Sequence, residues 1–228
     1  VLLRQAIATH GADSAGAGLL REWMLADQRL AEIEPLLGAA SAGNEATLLA
    51  AIRAHLAGDF ARAATLAQSV LARDPAHPAA LNHLARALHN LGRAQEALAL
   101  LRRATAAEPL YAEGWHNLAH ALRAAGQLQE AIEAYRRALA LRPGYRSAAL
   151  NLAKTWLALD RPQEALPVLD AWLVRRDGDS DARVDRGIAR QLLGRLEEAE
   201  ADYADALRMD AGNGTAWMYL GALRNERG

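Results

Sequence analysis

A 34-residue period constrains this chain more than any other feature. Slid along itself by that distance, the sequence falls repeatedly into register with the stretch Ala112 to Tyr145, AEGWHNLAHALRAAGQLQEAIEAYRRALALRPGY. Within it, Trp115, Leu118, Ala119 and Leu122 recur at spacings of three and four, the mark of one buried stripe on a helix. Gly126 interrupts. A second stripe follows with Leu128, Ala131, Ile132, Tyr135, Ala138 and Leu139, and Pro143-Gly144 terminates the unit. Neither helix can bury its stripe alone, so the unit is two antiparallel helices joined by a turn.

Small residues hold the same places in every copy. The eighth place reads Ala51, Ala85, Ala119, Ala153, Gly187 and Gly221, and the twentieth reads Ala63, Ala97, Ala131, Ala165 and Ala199. These are the expected points of closest helix approach, where a larger side chain overpacks the pair at a cost of about 1–3 kcal/mol. Between the helices the fifteenth place reads Gly58, Gly92, Gly126, Asp160, Gly194 and Gly228, the expected turn.

On these residues the chain resembles the tetratricopeptide repeat family, whose W-x2-L-G-x2-Y, A-x3-F and closing Pro pattern is met by Trp115, Leu118, Ala119, Leu122, Ala131, Tyr135 and Pro143. The resemblance implies an all-α fold, a right-handed α-solenoid of antiparallel helix pairs in one elongated body. Five units are expected, 44–77, 78–111, 112–145, 146–179 and 180–213. Residues 214–228 then form a C-terminal helix or truncated sixth unit. Residues 1–43 do not fit the period and are expected to be an N-terminal helical cap or a degenerate repeat.

Two units depart from the pattern. In 146–179, Pro162 and Pro167 sit early in the second helix, Trp172 replaces a small residue and Asp177-Gly178 replaces the closing Pro-Gly. A local bend at Pro167 is expected from the lost helical donor. In 180–213, Arg186 stands where leucine is usual, with Arg183 and Arg190 on the same helix. An arginine there is expected to lay its aliphatic stem over the core and pair with a carboxylate.

Composition narrows function. A net charge of −1 argues against a nucleic-acid binder, and no run approaches the length of a spanning helix. Cysteine is absent, which removes disulfides, thiolate metal sites and cysteine nucleophiles but does not decide the compartment. The reading is cytoplasmic first, periplasmic second. No nucleophile elbow, dinucleotide fingerprint, zinc-protease helix or calcium loop occurs, so no enzyme activity and no cofactor are expected in this chain. The pair His116 and His120 shares a helix face in the way a zinc chelate does, but lacks the third ligand a site needs. No functional metal site is assigned there.

Function is expected on the first helices. In the family resembled, their second, fifth, sixth, ninth and twelfth places line the concave groove. Carried onto this sequence, the resemblance implies a peptide-binding surface of Asn82, His83, Arg86, His116, Asn117, His120, Asn151 and Lys154. Amide side chains carry both donor and acceptor and pair with a peptide backbone whatever its sequence. The asparagines look like the ladder of O-GlcNAc transferase-type arrays, although asparagine at the sixth place also serves to order a helix pair. Arg86, His120 and Lys154 favour an acidic stretch. The expected partner is therefore a protein or extended peptide, with self-association through the repeat ends a further expectation. An alternative is the substrate-recruiting arm of a larger bacterial transferase or hydroxylase.

Overall fold

The structure is a computed structural model and describes residues 43–227. The expected cap, apart from Gly43, lies outside the described residues. Eleven helices and no strand are found among the described residues. They come as consecutive pairs: α1 (Asn44–Leu56) with α2 (Phe60–Leu71), α3 (Pro78–Asn90) with α4 (Ala94–Ala107), and α5 (Ala112–Ala124) with α6 (Leu128–Leu141). Next come α7 (Arg146–Ala158) with α8 (Pro162–Arg175), α9 (Ser180–Leu192) with α10 (Leu196–Met209), and α11 (Gly214–Arg227).

The turns follow from one backbone conformation. Gly126 has φ +76°, and its N–H donates to Arg123 O at 3.1 Å while Gln127 N–H donates to Leu122 O at 2.9 Å. This pairing satisfies carbonyls that the helix end would otherwise leave bare. Asp160 occupies the same place with φ +55°, its N–H donating to Leu157 O and the Arg161 N–H to Trp156 O. Aspartate is among the few side chains that enter the left-handed region.

The small residues lie where the helices meet. Ala85, Ala119 and Ala153 are fully buried, as are Ala97, Ala131, Ala165 and Ala199. Gly187 shows why the place is restricted, since a Cβ there would stand 2.5 Å from Tyr203 Cε1. Gly221 of α11 is exposed, and a Cβ there would meet nothing within 4 Å.

By its contacts the chain divides into two compact units, with the boundary between Pro109 and Leu110. The boundary falls in the turn between α4 and α5, where Leu110 stands 72% exposed. In the first unit α1 to α4 pack in sequence, and α1 also touches α3. In the second, each helix from α5 to α11 packs on the next, and α5, α7, α9 and α11 form a row of first helices in contact.

Pro167 does not break α8, which is continuous from Pro162 to Arg175. Trp172 is accommodated by Asp179. The Trp172 indole donates to Asp179 Oδ2 at 2.8 Å, Arg146 donates to both Asp179 oxygens at 2.6 and 2.7 Å, and Ala182 N–H donates to Oδ1 at the start of α9. Burial opposes this charge, but the donors outweigh it and hold the carboxyl below its ordinary range. One aspartate thus ties α7, α8 and α9 together.

Candidate functional site

The expected binding residues fall on α3 in the first unit and on α5 and α7 in the second. On α3, Asn82 is fully buried and His83 nearly so, and Arg86 is half-buried. His55 of α1 lies near Arg86. Burial, and then that guanidinium charge, push its imidazole down to about 4.

On α5 the polar residues form a set. Asn117 and His116 are half-buried and His120 is exposed, one turn further along the helix. The His116 ring packs at 4.7 Å from Tyr145 and 5.8 Å from Tyr135, centroid to centroid. Its Nδ1 lies 3.2 Å from Asn117 Oδ1, and its Nε2 lies 3.5 Å from Asn151 Nδ2 on α7. A single neutral tautomer, protonated on Nδ1, satisfies both contacts. Asn117 and Asn151 are thereby linked through His116, which joins adjacent first helices. Both His116 nitrogens are engaged, and among the described residues no group of three or more His, Asp or Glu is placed to hold a metal ion.

Lys154 is exposed, but Asp185 of α9 stands beside it, with Lys154 Nζ 3.6 Å from Asp185 Oδ2. Asp185 is buried, at 6% exposed. Burial pushes its carboxyl up to about 6, against the pull of Lys154 and with a further push from the Asp181 and Asp179 charges. Lys154 therefore faces a carboxylate that is charged above about pH 6 and neutral below it. Asp185 stands at the sixth place of the fifth unit, equivalent to Asn117 and Asn151, and is absent from the surface expected from the sequence. The signal was present in the register, because the ninth place of one first helix adjoins the sixth place of the next.

Beside this face lies an ionic cluster. Arg186 donates twice to Asp202, at 3.0 and 2.6 Å, and once to Asp170 of α8 at 3.0 Å. Arg190 donates to Asp202 at 2.7 Å. Arg186 thus pairs with carboxylates as its place in the core required. Asp202 is 2% exposed and fully engaged, so the cluster holds α8, α9 and α10 and presents no open charge.

Family signatures described as tetratricopeptide repeat match residues 54–121 and 122–190, and a second such signature matches 184–228. No curated protein matches the chain. Among solved structures, MamA superposes with a TM-score of 0.65 at 24% identity, covering 71% of this chain and 94% of that one. PilF of Pseudomonas aeruginosa gives a TM-score of 0.70 at 17% identity over 81% of this chain and 85% of that one. YrrB, described as having an unusual peptide-binding site, gives 0.61 at 19% identity over 71% and 83%. These likenesses carry the helix-pair fold.

Proposed function

Because this chain belongs to the tetratricopeptide repeat family, we propose that it is a non-catalytic scaffold whose first-helix face receives an extended peptide of a partner protein. The observation that carries the reading is the row formed by α5, α7 and α9 in the second unit. It sets the amides of Asn117 and Asn151 half-buried side by side, with His120 and Lys154 exposed next to them. Amides in that setting can give and accept bonds from a backbone, while the exposed cations choose among partners by charge. A peptide-binding site in YrrB, a protein of the same fold, supports this use of the fold. Asn82 and His83 lie buried on α3 of the first unit and are not part of this row.

The preferred peptide is acidic. Asp185 offsets Lys154 at neutral pH, and the offset fades as Asp185 takes up a proton near pH 6. The test compares partners captured by the wild-type chain and by a variant carrying Asn117→Ala, Asn151→Ala and Lys154→Ala, with helicity matched by circular dichroism. Loss of partners from the variant alone places recognition on this face. Partners retained by both remove it. For an acidic partner, capture is expected to strengthen between pH 7.5 and 5.5, and a flat or opposite trend refutes the charge preference.

Self-association through α11 is a second reading, favoured by Trp217 at 57% and Met218 at 61% exposed. Sedimentation at several concentrations decides it, and a single concentration-independent monomer refutes it.

A further inference from the structure

The second helix of the fourth repeat presents an unusual outer surface. In the third repeat the exposed places of α6 carry Glu133 and Arg137. The equivalent places of α8 are Pro167 and Ala171, and Val174 follows one turn later at 86% exposed. The spacing of four and three puts an apolar stripe on the solvent side of the helix, and at its middle place, Ala171, the neighbouring second helices carry Arg137 and Asp205.

Under this stripe is a cavity of about 370 Å³, within the range of small-molecule pockets. Leu139 and Pro143 form one wall and Ala149 of α7 the floor; Val168, Ala171 and Trp172 form the other wall. The indole is held by its bond to Asp179, so that wall is anchored. At the rim stands Arg175. Its guanidinium has no hydrogen-bond or ion-pair partner among the described residues. The acids around α8 are already committed, Asp170 to Arg186, Asp177 to Arg183, Asp179 to Arg146 and Glu164 to Arg161. An apolar cleft with one unengaged cation at its mouth matches a ligand with an apolar body and a single anionic end.

We propose that this pocket binds a linear aliphatic carboxylate, with the chain in the cleft and the carboxylate on Arg175. The site is separate from the first-helix face and does not rest on it. The probe is decanoate, titrated below its micellar range into the full chain by calorimetry. Saturable one-to-one binding is expected. Octanoate, two methylenes shorter, should bind about fifteenfold more weakly, at roughly fourfold per methylene. Decanol, and decanoate with the Arg175→Gln variant, should each lose about tenfold through the missing charge-assisted pair. Ala171→Glu should abolish binding by placing a like charge over the cleft. Both substituted residues are exposed, and circular dichroism checks that the variants fold.

Absence of saturable binding overturns the proposal, as does binding untouched by Ala171→Glu or equal affinity for decanol. A leucine-terminated peptide that displaces decanoate at lower concentration than octanoate does would also overturn it, reassigning the pocket to a protein C-terminus. The triple groove variant should bind decanoate like wild type, so failure of the pocket and failure of the peptide face are read separately.

Discussion

The third and fifth repeats share one backbone plan and fill it with different chemistry. At the seventh place the third has Leu118, 6% exposed, and the fifth has Arg186. At the twenty-third the third has Ala134, 4% exposed, and the fifth has Asp202, 2% exposed. At the eighth, Ala119 gives way to Gly187, while both repeats keep a fully buried tyrosine at the twenty-fourth, Tyr135 and Tyr203. A leucine and an alanine have been exchanged for a bidentate ion pair, and the helix pair still forms. The fold therefore depends on the turn, the small residues and the aromatic, and tolerates a change of polarity at the seventh place when the partner place changes with it.

Separating the partners gives the largest expected effect. Asp202→Ala leaves Arg186 and Arg190 in a half-buried setting without their shared acceptor. Breaking a buried pair in this way costs about 3–5 kcal/mol. The double change Arg186→Leu with Asp202→Ala rebuilds the chemistry of the third repeat and should recover most of the loss, since apolar replacement of a buried pair is often neutral or stabilising. Arg190 keeps Glu198 at 3.5 Å in either variant. Denaturant unfolding followed by circular dichroism gives the overall change, and amide exchange in α9 and α10 localises it. A double variant as unstable as the single one would show that the two repeats are not interchangeable at this place.

The eighth place supplies the next contrast. In Gly187→Ala the new Cβ meets Tyr203 at 2.5 Å from Cε1 and 2.8 Å from Cδ1. The ring cannot easily yield, because it is fully buried and its hydroxyl donates to Gln191 at 2.8 Å. A loss of about 1–3 kcal/mol is expected in the same unfolding measurement. Ala119→Gly in the third repeat should cost less, about 0.5–1 kcal/mol from backbone freedom, together with a small void. Equal effects at the two sites would mean that the glycine is not there to admit the tyrosine.

The period, the small eighth and twentieth places and the turns were legible because each is a local requirement repeated in register. Asp160 reads as a departure, yet its side chain is one of those that tolerate the turn, so the helix pair survives it. Pairings were less legible. Arg186 announced the need for a carboxylate, but several acids lie within a repeat's reach and only the fold selects Asp202 and Asp170. The hub at Asp179 needed three helices to be placed before it had a meaning. Nothing in the sequence at Pro109 marks the boundary between the two units, since that proline holds the same place as Pro75 and Pro143. One residue on, Leu110 stands where the other units have Ala76, Gly144, Gly178 and Gly212. On the first-helix face the residue types were readable, but the burial of Asn82 and the approach of Asp185 to Lys154 came from packing.

The sixth place offers the smallest and most informative break in the comparison, because Asn117 of the third repeat and Asp185 of the fifth are equivalent. Asp185 is buried, and its carboxyl is pushed up to about 6 from an unfolded value near 4. Between those values the folded chain holds a proton that the unfolded chain has released, so this group's contribution to stability falls as pH rises through the window. Above about pH 6.5 the charge is buried at a net cost that Lys154, exposed and 3.6 Å away, only partly offsets. Asp185→Asn should therefore stabilise the chain by about 1–2 kcal/mol at pH 7.5, and the gain should vanish below about pH 4. Unfolding at pH 4, 5, 6 and 7.5 measures it. A variant less stable than wild type at pH 7.5 would mean that the Lys154 pair outweighs burial. The fifth repeat would then hold a structural ion pair at the place where the third carries the amide of Asn117.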